Sequence, residues 1–207
     1  MKAMWADALA LGWWSLVLFV LLCWCLGAYR RFKRLRAQVR TAFAPVDEQL
    51  QNAVRWLQGL PAQAQVPTAA QAAFQALQPT ADLLVVALTQ ARTNPLNAAA
   101  LAQLDGIWQS LQAAWQAYAH AASSAVEQPV AAPSAQEASL PAGAMSWMAQ
   151  TSAAWSEQHA VLLHRMQQFN HAVQAYNDAL VLPPGSAWAK LQGLQPARSF
   201  ALPNAAQ

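Results

Sequence analysis

Residues 8–29 read ALALGWWSLVLFVLLCWCLGAY, and this stretch decides how the rest of the chain is organised. It contains no charged residue. With a helical rise of about 1.5 Å per residue, it extends about 33 Å, which is enough to cross a hydrocarbon layer of about 30 Å. We therefore expect a transmembrane helix over 8–29, preceded by a short extracytoplasmic tail over 1–7.

The segment that follows the apolar stretch is strongly basic. Half of the 12 Lys and Arg residues of the chain lie in it, namely Arg30, Arg31, Lys33, Arg34, Arg36 and Arg40. Since basic flanks stay on the cytoplasmic side, the pattern predicts an N-terminus outside the cell and a body inside it. The same residues also suit contact with anionic lipid head groups, at about 1 kcal/mol for each basic residue near the surface.

A cleaved signal peptide is the alternative interpretation of this N-terminus. Such a peptide carries positive charge before its apolar run and a small-residue cleavage site after it. Here only Lys2 precedes the run, Asp7 offsets it, and the run ends in a basic cluster. A retained anchor fits better.

The net charge of +3 misleads as a guide to partners, because the excess is confined to that basic segment. From residue 41 onward the acidic residues outnumber the basic ones, which are Arg55, Arg92, Arg165, Lys190 and Arg198. A body with this balance does not predict nucleic-acid binding.

The remainder of the chain predicts an all-α fold, an antiparallel four-helix bundle built on the membrane helix. Glycine is scarce, Ala, Leu and Gln are good helix formers, and apolar residues recur at spacings of three and four. The first helix should continue past the membrane, and Pro45 should kink it or mark a local restart. Residues 30–126 should hold the first three helices of the bundle, the second over 69–92 and the third over 98–126, with Asn97 as the N-cap of the third.

The last third of the chain predicts one long helix between two irregular segments. Residues 127–144 are rich in Pro, Ala and Ser and should form a flexible loop. The fourth helix, over 145–182, has the strongest apolar periodicity and should be buried against two neighbours. Residues 183–207 should be an irregular tail anchored by apolar residues such as Phe200.

Two segments resemble the LemA family of membrane-anchored helical proteins. The first is AFAPVDEQL over 42–50, where Phe43, Asp47, Gln49 and Leu50 fit the signature of the family's first helix. The second is RMQQFNHAVQAYN over 165–177, which continues to a proline at 184. The positions that match in this second segment are Arg165, Phe169, Asn170, Ala172, Val173, Tyr176, Asn177 and Pro184.

The resemblance implies a LemA-like bundle in a bacterial inner membrane, without an agreed biochemical activity. Where relatives carry a basic run and an Asn-Leu-Val segment after Gln-Leu, this chain has Gln51-Asn52-Ala53-Val54-Arg55. If relatives bind through that region, this chain has lost the site.

Catalytic and metal-binding patterns do not stand out in the sequence. No two of the four histidines (His120, His159, His164 and His171) have the i, i+4 spacing that puts two ligands on one helix face. The two cysteines lie in the apolar stretch, where Cys25 leaves acylation open. The serines lack a glycine-bracketed nucleophile turn, and no phosphate-binding loop is present. We expect no enzyme activity and no cofactor.

Asn170 and Asn177 are the polar pair with two open interpretations. They lie seven residues apart on one helix face, so they either fix helix register by hydrogen bonding or line a groove for a partner. Asp47 and Gln49 are the candidate polar groups that face them. The expected function is a non-enzymatic scaffold or adaptor whose partners are an anionic bilayer, other membrane proteins and a second copy of the chain. The alternative is membrane remodelling or lipid sensing through the basic helix.

Overall fold

Helices account for nearly all of the chain that the structure describes. The computed structural model describes residues 2–60, 70–127, 142–181, 183 and 185–202, and within them there is no strand. The four long helices are α1 (Lys2–Gly59), α2 (Gln71–Thr93), α3 (Ala98–Glu127) and α4 (Ala142–Val181), and the short α5 (Gly185–Gln192) follows. The predicted all-α class is confirmed.

Helix α1 has two parts that differ in burial. Its 58 residues extend about 87 Å, and the apolar side chains from Trp13 to Trp24 are all exposed. From Phe32 onward every third or fourth side chain is buried, as Val39, Phe43, Val46, Leu50 and Leu57 show. The apolar part therefore extends from a packed helical body, which comprises the described residues from Phe32 to Leu202.

The local restart, one of the two outcomes expected at Pro45, does not occur, since α1 runs through this residue. Proline removes the hydrogen bond that its N–H would donate to the carbonyl four residues back. Phe43 and Val46, on either side of it, are buried, so tertiary packing holds the helix together where local propensity would end it. The extracytoplasmic tail predicted for 1–7 is helical from Lys2 onward.

Two helices are long and apolar enough to cross a membrane, by length and composition. One comprises Trp13–Gly59, whose most apolar window is only 6% buried, and the other is α2, with 28%. Helix α2 buries six side chains in the core, from Leu77 to Ala91. The exposed N-terminal stretch is the stronger membrane candidate of the two.

One hydrophobic core joins the four long helices. Helix α1 packs mainly on α4, and α2 packs mainly on α3. Aromatic contacts connect these pairs: Trp56 of α1 lies 5.5 Å from Trp115 of α3 and 5.8 Å from Trp155 of α4 between ring centroids. The largest fully buried side chains are Tyr118, Tyr176 and Phe169.

The observed helix bounds agree with the sequence for α3 and differ at the C-terminal end. Asn97 caps α3 as predicted, since its Oδ1 accepts hydrogen bonds from the amides of Ala99 (3.0 Å) and Ala100 (3.4 Å). Helix α4 begins at Ala142, so the end of the predicted 127–144 loop is helical, as is Glu127. Residues 128–141, and the flexibility predicted for them, lie outside the described residues.

The tail predicted to be irregular over 183–207 contains α5 and a defined turn. Gly193 has a φ of 61°, and the amide of Leu194 donates to the carbonyl of Ala189 at 2.9 Å. This bond, with a glycine in the left-handed region directly after the helix, is a Schellman motif. The turn sends residues 194–202 back along the body, where Ala197 and Phe200 are buried.

Candidate functional site

The two predicted family motifs meet in the core of the helical body. Phe43 and Phe169 make an edge-to-face contact with ring centroids 5.8 Å apart. Leu50 and Val173 are buried, Ala172 is half-buried and Arg165 is exposed. Most of these motif positions therefore serve packing, and Pro184 lies outside the described residues.

Asn170 and Asn177 hold the C-terminal segment of the same chain. Asn177 donates to the carbonyl of Ala197 (2.8 Å) and accepts from its amide (2.9 Å). Asn170 does the same with Phe200, at 2.9 Å and 2.8 Å. Each carboxamide thus satisfies one backbone donor and one backbone acceptor, as a neighbouring β-strand would.

The spacing of the two asparagines matches the spacing of their partners. Seven residues of α-helix rise about 10.5 Å, and three residues of extended chain span about 10 Å. An extended segment therefore meets both carboxamides with residues 197 and 200 in register. In this structure the two asparagines thus bind the C-terminal segment of the same chain, instead of a neighbouring helix or a separate partner.

Asp47 and Gln49 do not face the two asparagines, so that expectation is wrong. Asp47 forms an ion pair with Arg92 of α2 at 2.7 Å and accepts a hydrogen bond from Gln51 at 2.9 Å. The side chain of Gln49 donates to the carbonyl of Gln158 at 3.4 Å. These two motif residues connect α1 to α2 and to α4 instead.

Asp105 is a site residue that sequence reasoning missed. It is a buried carboxylate on α3, and it accepts hydrogen bonds from the amide of Ala201 (3.4 Å) and from Gln109 (3.5 Å). Burial raises the pKa of this carboxyl, and the Ala201 amide and the charge of Arg198 act against that rise. The signal in the sequence was an acidic residue next to Leu104 within the apolar stripe of α3.

The six basic residues predicted to contact the membrane surface remain accessible. Arg36 is half-buried and the other five are exposed. Within the described part of the chain, none of the six forms an ion pair. Their charge is therefore available to a ligand or a surface.

Two cavities open on either side of the turn between α2 and α3, and each contains one of these basic residues. The larger has a volume of about 510 Å³ and is lined by Arg36, Asn94, residues 96–99, Tyr176 and residues 193–195. The smaller, of about 360 Å³, is lined by Arg40 together with Asp47 and Arg92. Among the described residues that line them, the first has no carboxylate, whereas the second has the ion pair of Asp47 and Arg92.

The aromatic cluster at the centre of the body includes His159. Its ring stacks on Trp108 with centroids 6.0 Å apart and hydrogen bonds to the side chain of Gln112. Burial lowers the pKa of His159, so the neutral ring is favoured. Among the described residues there is no group of three or more His, Cys, Asp or Glu side chains that could hold a metal ion.

Comparisons with protein-family models, with curated proteins and with solved structures found no match for this chain.

Proposed function

We propose that this chain is a membrane-anchored scaffold or adaptor of the LemA type, without enzymatic activity or cofactor, in a bacterial inner membrane. The observation that carries the proposal is the continuity of α1. Its exposed apolar part and its packed part belong to one helix, so the anchor is also a core element of the body. A partner bound to the body is thereby held at a fixed place relative to the bilayer.

The proposed architecture is an antiparallel four-helix bundle whose first helix is continuous with that anchor. Along α1 and α4, Phe43 contacts Phe169 while Trp56, further along α1, contacts Trp155, which is earlier in α4. Along α2 and α3, Phe74 near the start of α2 contacts Tyr118 in the later half of α3, with ring centroids 5.6 Å apart. Both pairings support helices that run in opposite directions.

We propose a single membrane crossing, with the N-terminus outside and the body in the cytoplasm. Helix α2 also has the length and composition of a membrane helix, but six of its side chains are buried in the body and it carries Asp82 and Arg92. A charged residue at the centre of a bilayer costs about 2.5–3.5 kcal/mol. These features favour α2 as a bundle helix.

The surface best suited to a partner is an apolar stripe on the outer face of α2, formed by Leu83 and Val86. These side chains are 57% and 52% exposed, and together with Ala72, Ala76 and Pro79 they follow a spacing of three and four. Apolar patches that remain exposed mark interaction surfaces more often than scattered apolar residues do. We propose that another membrane protein or a second copy of the chain covers this stripe.

Reporter fusions at several positions test the topology. A reporter that is fluorescent only in the cytoplasm should work after Gln207 and within residues 128–141, and a periplasmic reporter should be inactive at both places. If α1 and α2 both crossed the membrane, Gln207 would lie outside the cytoplasm. The cytoplasmic reporter fused there would then be dark, and the periplasmic reporter would be active. Either that result or the reverse orientation would overturn the proposal.

Site-specific photocrosslinking tests the adaptor role. A photoreactive residue at position 83, within the stripe, should give discrete crosslinked products in intact membranes. The same residue at position 116, which is an exposed glutamine on α3, serves as the matched control and should not. Equal labelling at both positions would remove the stripe as the partner surface. Hydrolase activity of the purified chain that a single polar substitution abolishes would overturn the non-enzymatic proposal.

The alternative function is membrane remodelling or lipid sensing through residues 30–40. The observation that favours it is the absence of ion pairs at the six basic residues within the described part of the chain. Purified full-length protein should then reshape anionic liposomes, and replacing the six residues by glutamine should abolish the effect. Liposomes that stay unchanged with the unmodified protein would exclude membrane remodelling.

A further inference from the structure

The cavity around Arg36 lies at the end of the body nearest the proposed membrane surface. Arg36 comes seven residues after Tyr29, which is about 10 Å along the helix axis. The headgroup layer extends about 5–8 Å beyond the hydrocarbon on each side. Because helical side chains lean toward the N-terminus of their helix, an arginine at this position reaches back toward that layer.

The described walls of the cavity combine one positive charge with polar groups and with apolar side chains, which are those of Leu96, Ala98, Ala99 and Leu194. Arg36 is half-buried and has no ion-pair partner among the described residues. Asn94 and Asn97 line the α2–α3 turn, and the phenol of Tyr176 closes the side formed by α4. Burial raises the pKa of Tyr176, and the nearby charge of Arg36 acts against that rise.

The chain segments around the cavity supply little negative charge. Residues 29–46 and 94–99 contain no acidic residue, and residues 176–195 contain Asp178 alone. Asp178 does not line the cavity. An unpaired guanidinium that is partly removed from water in such surroundings favours an anion, and arginine binds phosphate with two parallel hydrogen bonds.

We propose that this cavity binds a phosphate group on Arg36, and that the phosphate belongs to the headgroup of an anionic phospholipid. This inference rests on the proposed membrane anchoring and deepens it. The volume of about 510 Å³ accommodates a phosphate together with its ester substituent, given that a water molecule takes about 30 Å³. The bound headgroup would fix the rotation of the body against the bilayer, because the cavity lies on one side of α1.

Titration of the full-length protein in a neutral detergent tests the proposal. The probes are dihexanoyl-phosphatidylglycerol, dihexanoyl-phosphatidylcholine and inorganic phosphate, and native mass spectrometry counts the bound molecules. We expect the phosphatidylglycerol to bind most tightly. Arg36→Gln should weaken it at least about tenfold, because a charge-assisted hydrogen-bonded contact is lost.

Arg34→Gln is the matched control, since Arg34 is an exposed basic residue of the same segment that does not line the cavity. It should weaken binding less than about twofold if the contact is local. Equal weakening by Arg34→Gln and Arg36→Gln would show a diffuse attraction and overturn the site. Inorganic phosphate that binds as tightly as the lipid, and only when Arg36 is present, would overturn the lipid as the source of the phosphate.

A second variant keeps the test decisive if Arg36→Gln does not fold. Asn97→Asp retains an N-cap of similar quality for α3 and places a carboxylate in the cavity wall. It should leave the melting temperature nearly unchanged and weaken phosphatidylglycerol binding by about tenfold through repulsion. Unchanged binding would overturn the proposal. Reporter topology measured on the same variants separates this result from a failure of the anchoring itself.

Discussion

The two parts of α1 have similar helix-forming sequences and opposite surroundings. Between Trp13 and Leu26 nearly every side chain is apolar and exposed, whereas between Phe32 and Leu57 apolar side chains alternate with polar ones and are buried. The first part of α1 is apolar on all sides, and its side chains are not buried against other described residues. The second part has an apolar stripe, which packs against the two neighbouring helices α4 and α2. The pattern of apolar residues, more than their number, separates a membrane segment from a core segment.

Helix α2 shows why that distinction matters. It passes the same test of length and hydropathy as α1, yet its buried residues from Leu77 to Ala91 follow a helical stripe. The outer face of α2 differs from its buried stripe, because Leu83 and Val86 remain exposed there beside Asp82. An average over a window cannot tell a lipid-facing helix from a core helix with one additional apolar face.

The largest effect should come from placing charge in the exposed part of α1. Changing both Leu18 and Leu21 to arginine should raise the free energy of membrane insertion by about 6 kcal/mol, since each Arg at a helix centre is unfavourable by about 3 kcal/mol. The protein should move from the membrane fraction to the soluble fraction or be degraded. Leu18→Ala with Leu21→Ala is the control and should stay in the membrane. Retention of the double arginine variant would show that this part of α1 is not the anchor.

A truncation in the packed part tests the other side of the comparison. Phe169→Ala should destabilise the body by about 3–5 kcal/mol, because the ring is fully buried between Phe43 and Phe200. The melting temperature of the purified protein measures this loss. Leu83→Ala, at a 57% exposed position, should change the free energy of unfolding by less than about 0.5 kcal/mol. Similar melting of the two variants would contradict the assignment of core and surface.

The sequence predicted the helices of the body because their periodicity is strong and their caps are local. Asn97 is the clearest case, since an N-cap needs only its own side chain and the next amides. The restart that Pro45 could mark does not occur, because packing on both sides of this residue outweighs the local preference. Helix α5 was missed because eight residues between prolines and a glycine carry too few apolar positions for a periodic signal.

The site was harder to predict because its contacts join residues far apart in the chain. The sequence identified Asn170 and Asn177 as polar groups on one face, but it could not indicate that residues 197 and 200 would meet them. The partner of Asn170 is 30 positions away, and the amide that Asp105 binds is 96 positions away. The cavity around Arg36 likewise exists only where α1, α4 and two turns converge.

The attachment of the tail should respond to a change of one donor group. Asn177→Asp keeps the oxygen that accepts from the Ala197 amide and loses the N–H₂ that donates to the Ala197 carbonyl. We expect a loss of about 1–3 kcal/mol, measured as faster hydrogen exchange in residues 194–202. Asn52→Asp, at a residue whose side chain accepts a hydrogen bond from Arg55, is the control and should leave that exchange unchanged. Equal protection of the tail in both variants would mean that the contacts at Phe200 and Ala201 hold it without Asn177.

The smallest effect concerns the pH dependence of the packed part, through His159. Burial lowers the pKa of this ring below its usual value of 6.5, so the unfolded chain binds more protons than the folded one just below that pH. The free energy of unfolding should therefore decrease as the pH falls from about 7.5 to about 5, a range that includes the titration of an ordinary histidine. Asp105 acts in the opposite sense at lower pH, because its raised pKa lets the folded chain bind more protons above pH 3.8.

In His159→Gln the decrease in the free energy of unfolding should be smaller, whereas His164→Gln, at an exposed ring, should retain the full decrease. Denaturant unfolding at each pH gives the comparison, and the same slope in both variants would place the titrating group elsewhere in the body.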